Sequence, residues 1–491
     1  MNNLSKMPLV ETLFAAAAER FSFHMPANRQ GKSFPPWLRD KLWTLDNTEI
    51  ELTGDINHPE GKVMAAMDLA ANTFGSGHTR FVTTGTTTSL LTALATACPR
   101  GSRIILPRRV HQTIMHGVAL LELVPIWAEP EEGEEIEQAL IREIKNHPEA
   151  QAVFVTTPIY DGTTVPLTNI VKQAREKGIF VIVDEAHGSH FAAAPDLLRP
   201  TALSQGADLV AMSAHKTLPA LTPGSYLHIG KDVLSSGRIS TDRLGQMLKV
   251  FQTTSPSFVI AASLDYARYW LETEGRQAVE NLLRLISILN RDLPPSLKRL
   301  QLPTSDPLRL TYDYSSTGRT RAEVRRIFDA GKVDPEVIDL SQIILIPALD
   351  TGDEEMKALA SVLCAVGTPN SDFAVGTDEE HAVSLGADTK GKPAVQDIGW
   401  VYSLLDRSAP VGVPVGKALF GNIQKQETAL REAEGRSAAE AIVPYPPGVA
   451  LVWPGEIITR ERIEAIEQLI AAEITVYGVH NPDMPGVKVI E

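Results

Sequence analysis

Cysteine is almost absent, with Cys98 and Cys364 the only two in 491 residues. Two thiols cannot build a disulfide framework or a cysteine-based zinc site, and both stand in apolar helical contexts that suit a core; no metal-ligand cluster is read elsewhere. No apolar run reaches the roughly 20 residues that a membrane-crossing helix needs. Positive charge is scarce too. Lys and Arg total 46 against 60 Asp and Glu, a net charge of -14, which argues against general nucleic-acid binding, where cations neutralise phosphates. The densest acidic run, Glu129–Glu137, reads as a solvated loop and helix start. The first twenty residues lack a secretory pattern, because LFAAAA is brief and charged AERF follows it. What remains is an ordinary globular composition, 43% hydrophobic and 22% charged, with length for two or three domains and a reducing cytoplasm as the expected setting.

One stretch concentrates polar groups at strand ends. Residues 178–230 read GIFVIVDEAHGSHF and, further on, ADLVAMSAHKTLPALTPGSYLHIG. Ile179–Val183 and Leu209–Met212 are short apolar runs bounded by turn residues, the pattern of parallel strands buried on both faces. In an open α/β sheet ligands sit beyond the carboxyl ends of the strands. Asp184 and the run Ser213-Ala214-His215-Lys216 therefore face one crevice. A lone Asp reads as a helix cap and a lone Lys as a surface amine. Together at one crevice they meet the needs of pyridoxal phosphate chemistry: a lysine holds the cofactor aldehyde as a Schiff base, and a carboxylate keeps the pyridine nitrogen protonated so that the ring accepts electrons. Lys216 and Asp184 take those roles.

Residues 79–97, TRFVTTGTTTSLLTALATA, run from a short strand through a Gly and hydroxyl turn directly into a helix. Gly85, Thr86 and Thr87 lie at that helix start, where backbone N–H groups, the helix dipole and hydroxyls attract an anion. Plain capping is the other use of such residues. No Gly-Lys-Ser or Gly-Lys-Thr stands at the turn, which argues against a nucleotide P-loop. RIILPRRVHQ brings His111 to the crevice side of the strand Arg103–Leu106, and Ala152–Thr156 leads to Thr157, Tyr160 and Gly162 at another strand end.

The stretch SAHKTLPALTPGSYLHI, with DEAHGSHF upstream, resembles the Orn/Lys/Arg decarboxylase family of fold-type I pyridoxal phosphate enzymes, particularly its short bacterial branch. The likeness continues in order from FHMP (23–26) through HPEG (58–61) to PYPPG (444–448) and PGE (454–456). It implies an α/β fold. A helical arm at 1–24 would pack across a homodimer, followed by an aspartate aminotransferase-like large domain at 25–297 with a mostly parallel seven-stranded sheet. A small α/β domain at 298–372 and a C-terminal α+β domain at 373–491 complete the chain. The resemblance also implies that Gly85, Thr86 and Thr87 hold the cofactor phosphate. His111 would stack on the pyridine ring and position the substrate carboxylate, and His187, Ser213 and His215 would complete the cofactor site. Lys216 or His215 would return a proton.

The implied reaction is decarboxylation of arginine, lysine or ornithine, arginine first, to the amine and carbon dioxide, in polyamine-type metabolism. Two departures stand out: Ala27-Asn28-Arg29 occupies the place of the family's Gly-His-Lys after FHMP, and Gln112 replaces its usual lysine. They keep other pyridoxal phosphate reactions (transamination, aldol cleavage, elimination) as alternatives, with a non-catalytic regulatory paralogue beside them. His58 is read as a helix-entry residue, 368–381 as a linking stretch, and VPYPPG as a rigid turn. Glu434, Arg436 and Glu440 are read either as helix-face charges or as neighbours of an active site.

Overall fold

The computed structural model describes residues 6–17, 20–368, 399–445, 448–481 and 484–491; most of the linking stretch, and Pro446 and Pro447 of VPYPPG, lie outside them. Seven strands build the central sheet, numbered β1 to β7 in chain order: His78–Val82, Arg103–Pro107, Val124–Ala128, Ala152–Thr156, Phe180–Asp184, Leu209–Ser213 and Ser225–Ile229. Their order across the sheet is β1-β7-β6-β5-β4-β2-β3. β7 runs antiparallel to both neighbours, and the remaining pairings are parallel. The sheet is thus mostly parallel, with Ser225–Ile229 as its one antiparallel strand.

Continuous apolar runs arise because both faces are covered. Side chains alternate along a strand, so Val153 and Val155 of β4, Val181 and Val183 of β5, and Val210 and Met212 of β6 enter one core. Ala152 and Phe154, Phe180 and Ile182, and Leu209 and Ala211 enter the other. The first core continues into the small domain through Leu310, Tyr312, Phe328 and Leu363, and the second reaches the C-terminal domain through Val443 and Trp453. Parallel pairing puts the carboxyl ends of β2, β4, β5 and β6 on one edge of the sheet, and both accessory domains meet that edge.

The small domain carries a four-stranded antiparallel sheet built on Leu310–Asp313 and Gln342–Leu345. The arm joins it: Phe21–Phe23 pairs in parallel with Val333–Pro335, and Arg20 clamps Asp334 through Nη2 at 2.6 Å. In the C-terminal domain, Lys425–Ala429 pairs with Gly486–Ile490. The helix Arg460–Ala471 buries Ile463, Ile466 and Leu469 in a core of that domain's own.

Burial leaves a pH signature. Desolvation holds the pKa of His228 down to about 3, and those of His78 and His215 to about 4. These values lie below the ordinary one near 6.5, so in the window from about 6.5 to 4 the unfolded chain binds more protons than the folded one. Stability therefore falls as pH falls, by about 1.4 kcal/mol per pH unit for each such ring. Urea midpoints measured from pH 7 to 4.5 should drop accordingly. His228→Leu should remove about one proton from the slope, whereas an unchanged slope would contradict a neutral buried ring.

Candidate active site

A cavity of about 760 Å³ opens at the carboxyl edge of the sheet. All nine residues singled out from the sequence line it: Gly85, Thr86, Thr87, His111, Asp184, His187, Ser213, His215 and Lys216. The elements explain the convergence. β5 ends at Asp184, β6 ends at Ser213, and the chain enters the short helix Ala214–Thr217, which presents His215 and Lys216. The Leu218 N–H donates to Ala214 O at 2.8 Å, which closes that helix.

Lys216 Nζ lies 3.0 Å from His187 Nε2. Burial lowers the amine's pKa, against the pull of Asp184. Asp184 is 5% exposed, and burial raises its pKa, against Lys216 and His111. A bare carboxylate is therefore costly at this position, and a protonated ring nitrogen would supply the missing positive charge. His215 Nδ1 donates to Gly224 O at 2.9 Å, which orients the ring with its other nitrogen unprotonated. His111 caps the helix Gln112–Leu120, accepting at Nδ1 from Thr113 N at 3.3 Å. Its ring is exposed on the cavity wall, and a backbone bridge joins it to Val449 of the C-terminal domain.

The turn at Gly85, Thr86 and Thr87 is tightly built. Gly85 starts the helix Gly85–Ala97 at φ +86°, a left-handed conformation, and a Cβ there would come within 3.1 Å of Pro223 Cβ. Hydroxyls tie the turn to the sheet: Thr86 to Ser213 and Ser225, and Ser225 to Ser89. Thr84 Oγ1 and Thr156 Oγ1, on two residues that line the cavity, are buried with no partner among the described residues. Arg109 also lines the cavity but is paired with Asp406 at 2.6 Å. The donor set fits a phosphate ester without a lysine.

Of the remaining lining, Tyr160 was marked in the sequence by its place after a strand end, and the groups around it were not. Tyr160 lines the cavity and donates to Glu336 Oε1 at 2.6 Å, while Glu336 Oε2 accepts from Met25 N at 3.0 Å. Asp339 and Tyr402 add a further acid and hydroxyl, joined at 3.1 Å. Arg309 reaches His187 Nδ1 at 3.0 Å. Arg309, Glu336, Asp339 and Tyr402 are single polar residues in a distant part of the chain, with no spacing to mark them.

The departures fall outside the cavity lining. Ala27 N donates to His215 O at 2.9 Å, and Asn28 Nδ2 donates to Ala220 O at 3.0 Å. Arg29 pairs with Asp350 at 2.7 Å and with Glu355. The altered segment thus backs the lysine-bearing loop. Gln112 is an exposed first residue of its helix. His58 pairs with Asp55 at 2.6 Å beside a separate, smaller cavity, as a helix-entry residue would, and Glu440 pairs with His480 at 2.6 Å within the C-terminal domain.

A mostly parallel seven-stranded sheet with this order, accessory domains at its carboxyl edge, and a lysine and carboxylate in one cavity define the fold-type I class of pyridoxal phosphate enzymes. The constitutive lysine decarboxylase of E. coli superposes with TM-score 0.73 at 18% identity, over 99% of this chain and 82% of that one. Lysine decarboxylase A of Pseudomonas aeruginosa gives TM-score 0.74, again at 18% identity, over 98% and 79%.

The chain belongs to the Orn/Lys/Arg decarboxylase family and is an amino acid decarboxylase: the family's major domain matches residues 7–301 and its C-terminal domain residues 418–488. It is 32% identical to the uncharacterized protein YaaO of Bacillus subtilis (strain 168), over 96% of both chains. It is 30% identical to the arginine decarboxylase of the same organism, over 97% of this chain and 96% of that one.

Proposed function

We propose that this protein decarboxylates a basic L-amino acid, arginine in preference to lysine or ornithine, with pyridoxal phosphate held in the 760 Å³ cavity. The observation that carries the reading is the convergence of Lys216 and Asp184 on a cavity that is also lined by Gly85, Thr86 and Thr87 and by the carboxylates of Asp161 and Asp339. Full-length likeness to arginine decarboxylases supports the preference for arginine.

In this reading Lys216 holds the cofactor, Asp184 its ring nitrogen, and Gly85, Thr86 and Thr87, with Ser213 and His215, its phosphate. His111 would stand against the cofactor and orient the substrate carboxylate, and His187 would contact the ring or its carboxylate. The bound cofactor supplies an electron sink for the bond from Cα to the carboxylate. The protein's part is to orient that bond, exclude water, and return a proton to Cα from Lys216 Nζ, since the one proton of His215 is held by Gly224 O. Carbon dioxide and a polyamine-type amine leave. Asp161 and Asp339 line the same cavity and give a cationic substrate tail two carboxylates to meet.

We further propose a cytoplasmic homodimer. Leu9, Leu13 and Phe14 on the helix Pro8–Ala17 are 60–71% exposed, an apolar face that suits a second copy, and Cys98 and Cys364 are unpaired. Carbon dioxide release from cofactor-loaded protein, offered arginine, lysine and ornithine separately, tests the reaction. Release with arginine at the highest kcat/KM is expected. Release from none of the three would overturn the substrate class.

A further inference from the structure

Arg309, His187 and Lys216 form a line of three nitrogen-bearing groups. Arg309 Nη2 lies 3.0 Å from His187 Nδ1, and His187 Nε2 lies 3.0 Å from Lys216 Nζ. Arg309 and His187 are buried, at 4% and 8% exposure. Their hydrogen bonds admit few proton arrangements. A guanidinium only donates, so Nδ1 must accept. A neutral imidazole carries one proton, which then sits on Nε2 and points at Lys216 Nζ. An ammonium has no lone pair to receive it, so the amine that faces this ring is uncharged.

We infer that Arg309 is a positioning residue that fixes the proton of His187 on Nε2 and thereby holds Lys216 as the free amine, the form able to attack a carbonyl. The inference rests on the reading of Lys216 as the cofactor-bearing residue. The surrounding charges show what Arg309 works against. Asp184 and Glu336 favour the charged form of Lys216, whereas Arg309 opposes it. Lys216, Arg309, His215 and His111 all disfavour a charged His187, and burial does so most. Burial works against the charge on Arg309 and lowers its pKa, while Asp306, Glu336, Tyr160 and Asp161 offset part of that. Without it, the two acids nearest Lys216 would draw a proton onto the amine, and His187 would turn to the other tautomer to accept from it.

Packing holds Arg309 in place. Its N–H donates to Asp306 O at 3.2 Å, and Asp306 N donates to Gly162 O at 2.8 Å. Gly162 stands at φ +94°, and a Cβ there would lie 2.6 Å from Arg309 Cβ. The loop that carries Tyr160 thus closes directly over the arginine. Tyr160 also meets the His187 ring edge-on, with centroids 5.8 Å apart.

The test reads the proton without turnover. Ring-15N NMR of histidine-labelled apoenzyme, with His187 assigned by its loss in His187→Gln, should show the Nε2–H tautomer at pH 7. Arg309→Met should move it to Nδ1–H, and Arg309→Lys, which keeps a donor, should retain Nε2–H. The pH at which pyridoxal phosphate attaches to Lys216 at half its maximal rate should rise by about one unit or more in Arg309→Met. An Nδ1–H tautomer in the unaltered protein would overturn the inference, and that holds even if Arg309→Met does not fold. Unchanged tautomer and attachment profile in folded Arg309→Met would overturn it as well. Failure of the cofactor to attach at any pH would instead remove the reading of Lys216 and leave the tautomer result standing.

Discussion

Replacing Lys216 with Ala is expected to lower decarboxylation by about 10³-fold or more, the loss that follows removal of a nucleophile that also shuttles a proton. Among the described lining residues nothing else can take its place. His215 has one ring nitrogen engaged with Gly224 O, and Arg109 is held by Asp406. The fold should survive, because Lys216 is only half-buried and its side-chain partner is His187, whose ring keeps Arg309 on the other side. Carbon dioxide release and a thermal melt, taken on the same preparation, separate the two effects. A variant that keeps its activity within tenfold would remove Lys216 from the chemistry.

Glu456→Ala should destabilise the protein by about 3–5 kcal/mol, as removal of one partner from a buried ion pair does. The Arg108 side chain is fully buried, and its Nη2 lies 3.1 Å from Glu456 Oε2, itself 3% exposed. The guanidinium stacks 4.8 Å from the Trp127 ring centre and 5.4 Å from that of Trp453. Glu456 also accepts from Trp453 N at 2.7 Å. With the carboxylate gone, a buried cation keeps only its aromatic faces, and the C-terminal domain loses its fastening beside the strand end that leads to His111. Urea unfolding measures the cost, and Arg108→Met combined with Glu456→Leu should recover much of it. Wild-type stability in Glu456→Ala would show that the pair fastens nothing.

Legibility in the sequence followed physical cause. The strands were readable because burial on both faces writes apolar runs such as FVIV and LVAM, each ending where the polar site begins. Asp184 and Lys216 were readable because each follows such a run, and the turn at Gly85 because a glycine and threonines open a helix directly after a strand. Arg309 and Glu336 were hidden. Each is one charged residue distant in the chain, brought behind a lining residue, Arg309 behind His187 and Glu336 behind Tyr160, and no local pattern records that contact. The segment 27–29 was legible as a neighbour of the site, but only the fold shows that it supports the lysine loop from behind through Ala27 N and His215 O.

The central claim is that Lys216, in this cavity, carries pyridoxal phosphate. Borohydride reduction of the loaded protein, followed by digestion and peptide mass analysis, tests it most directly. The account predicts a phosphopyridoxyl group on the peptide containing Lys216 and on no other, and its loss in Lys216→Ala. A label on a different lysine, or none on a protein that binds the cofactor, would contradict it.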